Sequence, residues 1–336
     1  MMNNLFTVTC PKNHYGDGFK VVLNQPLSVV ENPYVYKKEM KRVLLEVVDS
    51  YPKVTLGYSG GSDSGFVLCC IRDLIEEGKL KTDTINIVLC AFYYNKSLLN
   101  LDLNRAMKFA HSLGIKPDLL EFDLKSEWDG VCKYVLSHKI TDMAGAMQTM
   151  LGDKIDGHFF IVRRWGRKRR CGFDISVGND DPIPFIWDTM AQFKTSNVID
   201  LQCWDNKIFS SFITPYTLKS KNVNMEPFNN LPNWPWNEYQ LSESNIYYPH
   251  LMIQETMYRT LIYLQCYPEM TEILYKIPTC SWDLAWDLVD EKEQEIIGDF
   301  SNFIKSMPEV TCNLEFPDGK LFTKKDLTNA TDYGII

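Results

Sequence analysis

The sequence predicts an α/β protein in which a parallel sheet is wrapped by helices and is followed by an irregular and helical C-terminal region. Strand-like and helix-like segments alternate four times between residues 54 and 162, which is typical of a parallel sheet with helical connections. The segment from Ile85 to Phe92 is apolar except at Asn86, as in strands buried on both faces of such a sheet. The third observation is size, because 336 residues with 45% hydrophobic side chains fit one large α/β domain with an appendage.

Each predicted element follows from the spacing of apolar residues and from glycine and proline stop signals. A helix is predicted over residues 34–50, where apolar residues recur at helical spacing before Pro52. In chain order there follow a strand over 54–58, a helix over 66–75, a strand over 85–92, an amphipathic helix over 101–113, a strand over 119–122, a helix over 128–151 and a strand over 159–162.

The pattern divides the chain into three parts. Residues 1–33 are interpreted as an N-terminal extension punctuated by turns, and residues 34–165 as the α/β core. Residues 166–336 are interpreted as a C-terminal region that shapes a substrate or partner site, with helices predicted over 251–266 and 282–306.

Composition narrows the class of protein. The formal net charge of −8 disfavours a protein that binds nucleic acid over its whole surface. The first residues lack a charged and then apolar leader, and no apolar run approaches the roughly 18 residues of a membrane span. None of the ten cysteines forms a C-x-x-C pair, which disfavours common zinc and iron–sulfur sites. We therefore expect a cytoplasmic protein without a membrane partner, and leave homo-oligomer formation open.

A glycine-rich loop joins the strand over 54–58 to the next helix, and it consists of Ser59, Gly60, Gly61, Ser62, Asp63 and Ser64. Consecutive glycines let the backbone turn sharply and approach a ligand. The helix start offers unpaired amides and a positive dipole end, which attract an anion such as phosphate, while the serines add hydroxyl donors. A carboxylate beside a phosphate needs a cation such as Mg²⁺, which makes Asp63 the candidate metal ligand. The alternative is a solvated turn with an N-capping side chain.

The S-G-G-x-D-S pattern resembles the loop of the ATP pyrophosphatase (PP-loop) superfamily, also called adenine nucleotide α-hydrolase-like. Members cleave ATP between the α- and β-phosphates and adenylate a substrate oxygen, after which a nitrogen or sulfur nucleophile displaces AMP. The resemblance implies a Rossmann-like fold. It also implies that the glycine-rich loop binds pyrophosphate and Mg²⁺, with Asp63 in the catalytic machinery.

The resemblance reaches beyond the loop and is nearest to the synthetase domain of asparagine synthetase-type proteins. Residues 100–124 and the helix over 35–50 are similar to segments of that domain. In that family the strand after the loop helix contacts adenine through its backbone, which implies such a role for Leu89 and Ala91. Two features depart from the family: position 2 is not cysteine, and Arg163-Arg164-Trp165-Gly166 stands where the family has a second acidic motif.

Residues 163–170 carry six positive charges in an otherwise acidic protein. Because this segment follows a predicted strand, Arg163 and Arg164 are candidates to neutralise the leaving pyrophosphate as catalytic residues. Contact with RNA phosphates and an inert charged hairpin are the alternatives.

These observations predict an ATP-dependent adenylating enzyme that cleaves ATP to AMP and pyrophosphate and activates an unknown acceptor for amide, nitrogen or sulfur transfer. One alternative is a nucleotide-binding protein that has lost turnover and serves a structural or interaction role. The other is a relative of the phosphosulfate reductases, which use the same loop for a terminal phosphate.

Overall fold

The structure is a computed structural model, which describes slightly under half of the chain. The described residues are 6–9, 20–24, 28–30, 32–94, 97–98, 103–123, 126–127, 130, 150–162, 184–186, 198–211, 263–264, 266–272, 311–315, 318 and 328–329.

The elements named below are twelve strands, three α-helices and two short 3-10 helices, and residues 150–153 and 206–211 are helical as well. The strands are β1 (Phe6–Thr9), β2 (Lys20–Leu23), β3 (Ser28–Val29), β4 (Val54–Tyr58), β5 (Ile85–Tyr94), β6 (Ser97–Leu98), β7 (Asp118–Asp123), β8 (His158–Ile161), β9 (Pro184–Ile186), β10 (Val198–Asp200), β11 (Thr311–Glu315) and β12 (Thr328–Asn329). The helices are α1 (Pro33–Ser50), α2 (Ser62–Glu76) and α3 (Leu103–Ser112), with 3-10 helices at Leu201–Cys203 and Pro268–Glu272.

The central sheet has five parallel strands in the order β10-β8-β4-β5-β7, and β6 adds a short antiparallel pairing with β5. Strand β4 lies in the middle, where Leu56 is in register with Ile87 of β5 and Phe160 of β8. This arrangement confirms the predicted α/β fold with a parallel sheet.

The order of the strands creates a topological switch point beside β4. From β4 the chain moves outward to β5 and then β7, whereas β8 and β10 are added on the other side of β4. Ligands of open α/β sheets bind in the crevice at the carboxyl ends of the strands where the order reverses. The end of β4 is therefore the position in this fold at which a ligand site is expected.

The sequence of α1 explains where this helix starts and which of its faces is buried. Asn32 caps its start by accepting a hydrogen bond from Tyr34 N at 2.9 Å, and Pro33 occupies the first turn. One face of the helix is apolar and buried, with Met40, Val43, Leu44 and Val47 at most 1% exposed. This stripe packs against the core, and the charged residues lie on the outer face except Glu39, which is buried and accepts a hydrogen bond from Arg42.

Helix α2 is buried along most of its length, and the run from Phe66 to Cys70 is fully buried. One contiguous hydrophobic cluster joins α1, α2 and the sheet to residues 198–211 and 263–270. The central sheet and its core thus include residues beyond position 165 in the chain.

Most predicted elements of the core match the structure within two residues at each end. Helix α2 is the exception, because it begins at Ser62 and not at Phe66. The apolar periodicity starts only at Phe66, whereas Ser and Asp are favourable in a first turn, so half of the glycine-rich loop is the first turn of the helix. The helices predicted over 128–151, 251–266 and 282–306 lie wholly or largely outside the described residues.

Two smaller sheets bring the two ends of the sequence together. Strands β1, β2, β11 and β9 form one sheet, and β3 pairs with β12 in the other. Within the described part of the chain, no helix combines the length and apolarity needed to cross a bilayer.

Candidate functional site

The glycine-rich loop lies at the carboxyl end of β4, at the switch point of the sheet. Gly61 is the N-cap of α2 and has no side chain with which to cap the helix, and its own N–H donates to Ser59 Oγ at 3.4 Å. The helical hydrogen bonds begin with Gly65 N donating to Gly61 O at 2.9 Å. The preceding amides of the first turn have no acceptor within the helix and carry its positive dipole end. Residues 61–63 are partly exposed, so a ligand can reach this end of the helix.

Both the backbone conformation at Gly60 and the close approach of Ala106 require a glycine at this position. Its φ of +74° lies in the left-handed region that favours glycine. A Cβ at Gly60 would lie 2.7 Å from the Cβ of Ala106 in α3. Tyr58 ties the same helix to the end of β4 by donating its hydroxyl to Ala106 O at 3.2 Å. The loop is thus seated directly on α3.

Ser59 and Ser64 hold the loop in shape. Ser64 Oγ accepts a hydrogen bond from Ser59 N at 3.2 Å, lies 3.1 Å from Ser59 Oγ and donates to Gly61 O at 3.2 Å. Ser64 is only 2% exposed, whereas Ser59 is exposed. The arrangement closes the loop into a compact turn, and direct contact of these hydroxyls with a phosphate stays a prediction.

Asp63 lies in the first turn of α2 and accepts a hydrogen bond from the hydroxyl of Tyr263. The distance from Tyr263 Oη to Asp63 Oδ1 is 2.6 Å across a sequence separation of 200 residues. Tyr263 is completely buried, and its ring stacks on Phe66 with centroids 4.7 Å apart. The sequence analysis missed Tyr263, because a tyrosine in a helical apolar segment gives no local sign of a distant carboxylate.

Leu89 and Ala91 lie on β5 beside the loop. Leu89 is in register with Tyr58, the last residue of β4, so Ala91 extends two residues beyond that strand. Their side chains are buried, at 1% and 0% exposure, so only their backbone can face a ligand. Strand β7 pairs with one edge of β5 at Tyr93. Strand β6 therefore pairs with the other edge, which is the edge that β4 occupies nearer the start of β5. Among the described residues, none forms a strand against residues 90–92 on that side.

Strand β8 ends at Ile161 on the same sheet edge as the loop, and Val162 is the last described residue before the basic segment. Arg163 and Arg164 lie outside the described residues. Their predicted contact with pyrophosphate therefore stays a prediction.

A second carboxylate stands at this edge at the end of β10. Asp200 is 6% exposed, and its Oδ1 accepts a hydrogen bond from Gln202 N at 2.9 Å. Burial raises the pKa of Tyr36 well above its usual value, and the charges of Asp63 and Asp200 raise it further, against the hydrogen bond from Gln202. Tyr36 is therefore a neutral hydroxyl that both carboxylates influence. The sequence analysis did not select Asp200, whose one sequence signal is the two-residue apolar run that it ends, at residues 198–200.

The donor set around Asp63 suits a metal that arrives with a phosphate ligand. Among the described residues, no group of three or more His, Cys, Asp or Glu side chains could form a protein-only metal cage. Mg²⁺ is usually bound through one or two carboxylates together with substrate phosphates and water. Asp63 supplies one such carboxylate, in the first turn of α2.

Two cavities lie elsewhere on the described surface. A cleft of about 700 Å³ runs along α1 between Tyr34 and Lys79, and a smaller one of about 340 Å³ lies at the opposite sheet edge near Asn86 and Lys116. Neither contains a residue of the glycine-rich loop. We place the candidate site at the loop because its helix amides, hydroxyls and carboxylate converge there.

Comparison with the models of known protein families gives no match, and comparison with curated proteins gives none either. The structure of this chain shows an α/β protein with a five-stranded parallel sheet and a glycine-rich loop at the switch point.

Proposed function

We propose that the chain is an ATP-dependent adenylating enzyme whose glycine-rich loop binds the phosphates of Mg·ATP. The observation that carries the proposal is the uncapped start of α2 at the carboxyl end of the central strand. Gly60 in the left-handed region and Gly61 at the N-cap add no side chain of their own between these amides and a ligand. Such a helix start attracts phosphate through its backbone donors and its dipole.

The residues around the loop suggest how each part of ATP would be held. The loop amides would take the β- and γ-phosphates, and the backbone near Leu89 and Ala91 would contact adenine. Asp63 would hold Mg²⁺, which when bound neutralises charge on the phosphate oxygens. Arg163 and Arg164, which follow Val162 in the sequence, would add positive charge for the leaving pyrophosphate.

The proposed reaction is the transfer of AMP to an acceptor oxygen. That oxygen forms a bond to the α-phosphorus, the bond from the α-phosphorus to the bridging oxygen breaks, and pyrophosphate leaves with the bonding electrons. The loop amides stabilise the charge that develops on the leaving group, and their fixed direction means that they need not reorganise during the step. Positioning of the acceptor against ATP supplies the other large contribution.

Nucleotide binding is the first test, and thermal unfolding with and without Mg·ATP or AMP measures it. A ligand at a hundred times its dissociation constant adds about 2.7 kcal/mol of apparent stability. We expect this stabilisation in the wild type and a much smaller one in Asp63→Asn. Asp83→Asn is the matched control, because it removes the same charge from an exposed position at the opposite sheet edge. Equal stabilisation of all three proteins, or of none, would overturn the proposed site.

Pyrophosphate release separates the proposed enzyme from the two alternatives. Release that depends on an acceptor and is lost in Asp63→Asn supports adenylation. Nucleotide binding without any pyrophosphate release, when a broad set of acceptors is offered, would favour a nucleotide-binding protein without turnover. Sulfite formation from a phosphosulfate and a thiol reductant would favour a reductase-like activity.

A further inference from the structure

The contact between Tyr263 and Asp63 joins the C-terminal half of the chain to the glycine-rich loop. Tyr263 Oη donates to Asp63 Oδ1 at 2.6 Å, which is a short hydrogen bond to a carboxylate. Asp63 is partly exposed at the helix start, whereas Tyr263 is 0% exposed. The hydroxyl therefore reaches the carboxylate from the protein interior.

An aromatic stack fixes the direction of that hydroxyl. The ring of Tyr263 lies 4.7 Å from the ring of Phe66 at an interplanar angle of 29°, and 6.3 Å from the ring of Tyr36. Phe66 follows Asp63 by three residues in α2, so both lie on one side of the same helix. The tyrosine ring packs on one residue of the helix while its hydroxyl bonds to the other, which restrains the Asp63 side chain relative to the loop amides.

A phenol suits this task better than a basic side chain. A lysine or arginine would cancel the carboxylate charge that a cation needs, whereas a neutral hydroxyl orients the carboxylate and leaves that charge in place. Carboxylates that bind metals are usually held by such hydrogen bonds, and loss of the supporting group typically weakens metal binding roughly 10- to 100-fold.

We propose that Tyr263 is a positioning residue that holds Asp63 ready for the Mg²⁺ of Mg·ATP. This inference rests on the proposed function. It assigns to the segment around residue 263 a part in the nucleotide site, although the segment lies about a hundred residues beyond the α/β alternation.

Tyr267 provides a matched control on the same stretch of chain. Its ring also contacts Phe66, at 5.3 Å and edge-on, but its hydroxyl bonds to Asp73 at 2.9 Å and not to Asp63. Tyr267→Phe therefore removes a buried hydroxyl from the same aromatic cluster without touching the loop.

The experiment is calorimetric titration of Mg²⁺ at a fixed ATP concentration, together with titration of ATP in EDTA. We expect Tyr263→Phe to weaken the apparent Mg²⁺ affinity roughly 10- to 100-fold, while metal-free ATP binding changes less than about twofold. Tyr267→Phe should leave both affinities at the wild-type values. A purely structural role of Tyr263 would weaken both affinities together, and that result would overturn the inference.

A double-mutant cycle tests whether Tyr263 acts through Asp63. In an Asp63→Asn background, Tyr263→Phe should produce no further loss of Mg²⁺ affinity. An undiminished additional loss would show that the hydroxyl acts elsewhere. The same cycle in urea unfolding should also be non-additive, which tests the hydrogen bond even where nucleotide binding is weak.

The outcomes distinguish this inference from the proposed function. If the wild type does not bind Mg·ATP, both are overturned. If the wild type binds and Asp63→Asn does not, but Tyr263→Phe keeps the wild-type Mg²⁺ affinity, only the role of Tyr263 is overturned.

Discussion

Substitution of Gly60 by alanine tests how the glycine-rich loop is built. Two effects of this substitution are expected to lower the free energy of unfolding. A left-handed backbone costs a residue with a Cβ about 1–2 kcal/mol. The new Cβ would lie 2.7 Å from the Cβ of Ala106, an atom fixed to the α3 backbone, and relief of that contact costs about 1–3 kcal/mol. We therefore expect Gly60→Ala to lower the free energy of unfolding by about 2–5 kcal/mol.

Gly78→Ala is the matched control for the backbone cost. Gly78 has a φ of +68°, close to that of Gly60, but an added Cβ would meet nothing within 4 Å. Alanine also restricts the unfolded chain similarly at both positions, so this effect cancels in the comparison. Gly78→Ala should cost only about 1–2 kcal/mol.

Urea unfolding followed by circular dichroism measures both variants, with equal m-values as the condition for comparing them. In a double-mutant cycle, Ala106→Gly should recover about 1–3 kcal/mol of the loss caused by Gly60→Ala, because it removes the opposing Cβ. Equal costs for Gly60→Ala and Gly78→Ala, together with additive effects in the cycle, would show that the loop does not pack on α3.

Two further predictions concern buried charge and thiol chemistry. Burial alone would raise the pKa of Asp73, but hydrogen bonds from Arg72, Lys37 and Tyr267 outweigh it and lower the pKa below its usual value. A carboxyl group whose pKa is lowered in the folded state stabilises the fold at pH values above its unfolded-state pKa, which is about 4 for aspartate. This stabilisation is lost as the pH falls through the folded-state pKa. Asp73→Asn should therefore lower the urea midpoint at pH 7, and lower it much less at pH 3. Burial raises the pKa of Cys70 to about 12, against the hydrogen bond from Tyr267. Alkylation of Cys70 by iodoacetamide at pH 8, followed by mass spectrometry, should therefore be more than about a hundredfold slower in the folded protein than in urea; comparable rates would contradict this burial.

The α/β core was predictable because its signals are local. The helical apolar period of residues 34–50 and the apolar run of residues 85–92 predict α1 and β5 to within two residues at each end, since each pattern matches the geometry of one element. The start of α2 was misplaced, because the first turn carries polar residues that favour helix ends and turns alike.

The candidate site was only partly predictable. The glycine-rich loop was recognisable from its own residues, and the structure places it at the carboxyl end of the central strand. Asp200 was not selected, because a three-residue strand gives too few residues for a period to be seen. Its position at the same edge follows only from the parallel pairing of β10 with β8.

The sequence by itself determined the alternation of strands and helices, the turn at Gly60 and Gly61, and the carboxylate at the start of a helix. Each of these depends on neighbours in the chain, whose conformational preferences can be read directly. Only the tertiary structure decided that β4 is the central strand, that α3 packs against Gly60, and that Tyr263 bonds to Asp63. Such contacts join residues up to 200 positions apart, and they depend on which distant segments pack against each other in the folded protein. That packing is determined by burial in a shared core, which local patterns of residues do not predict.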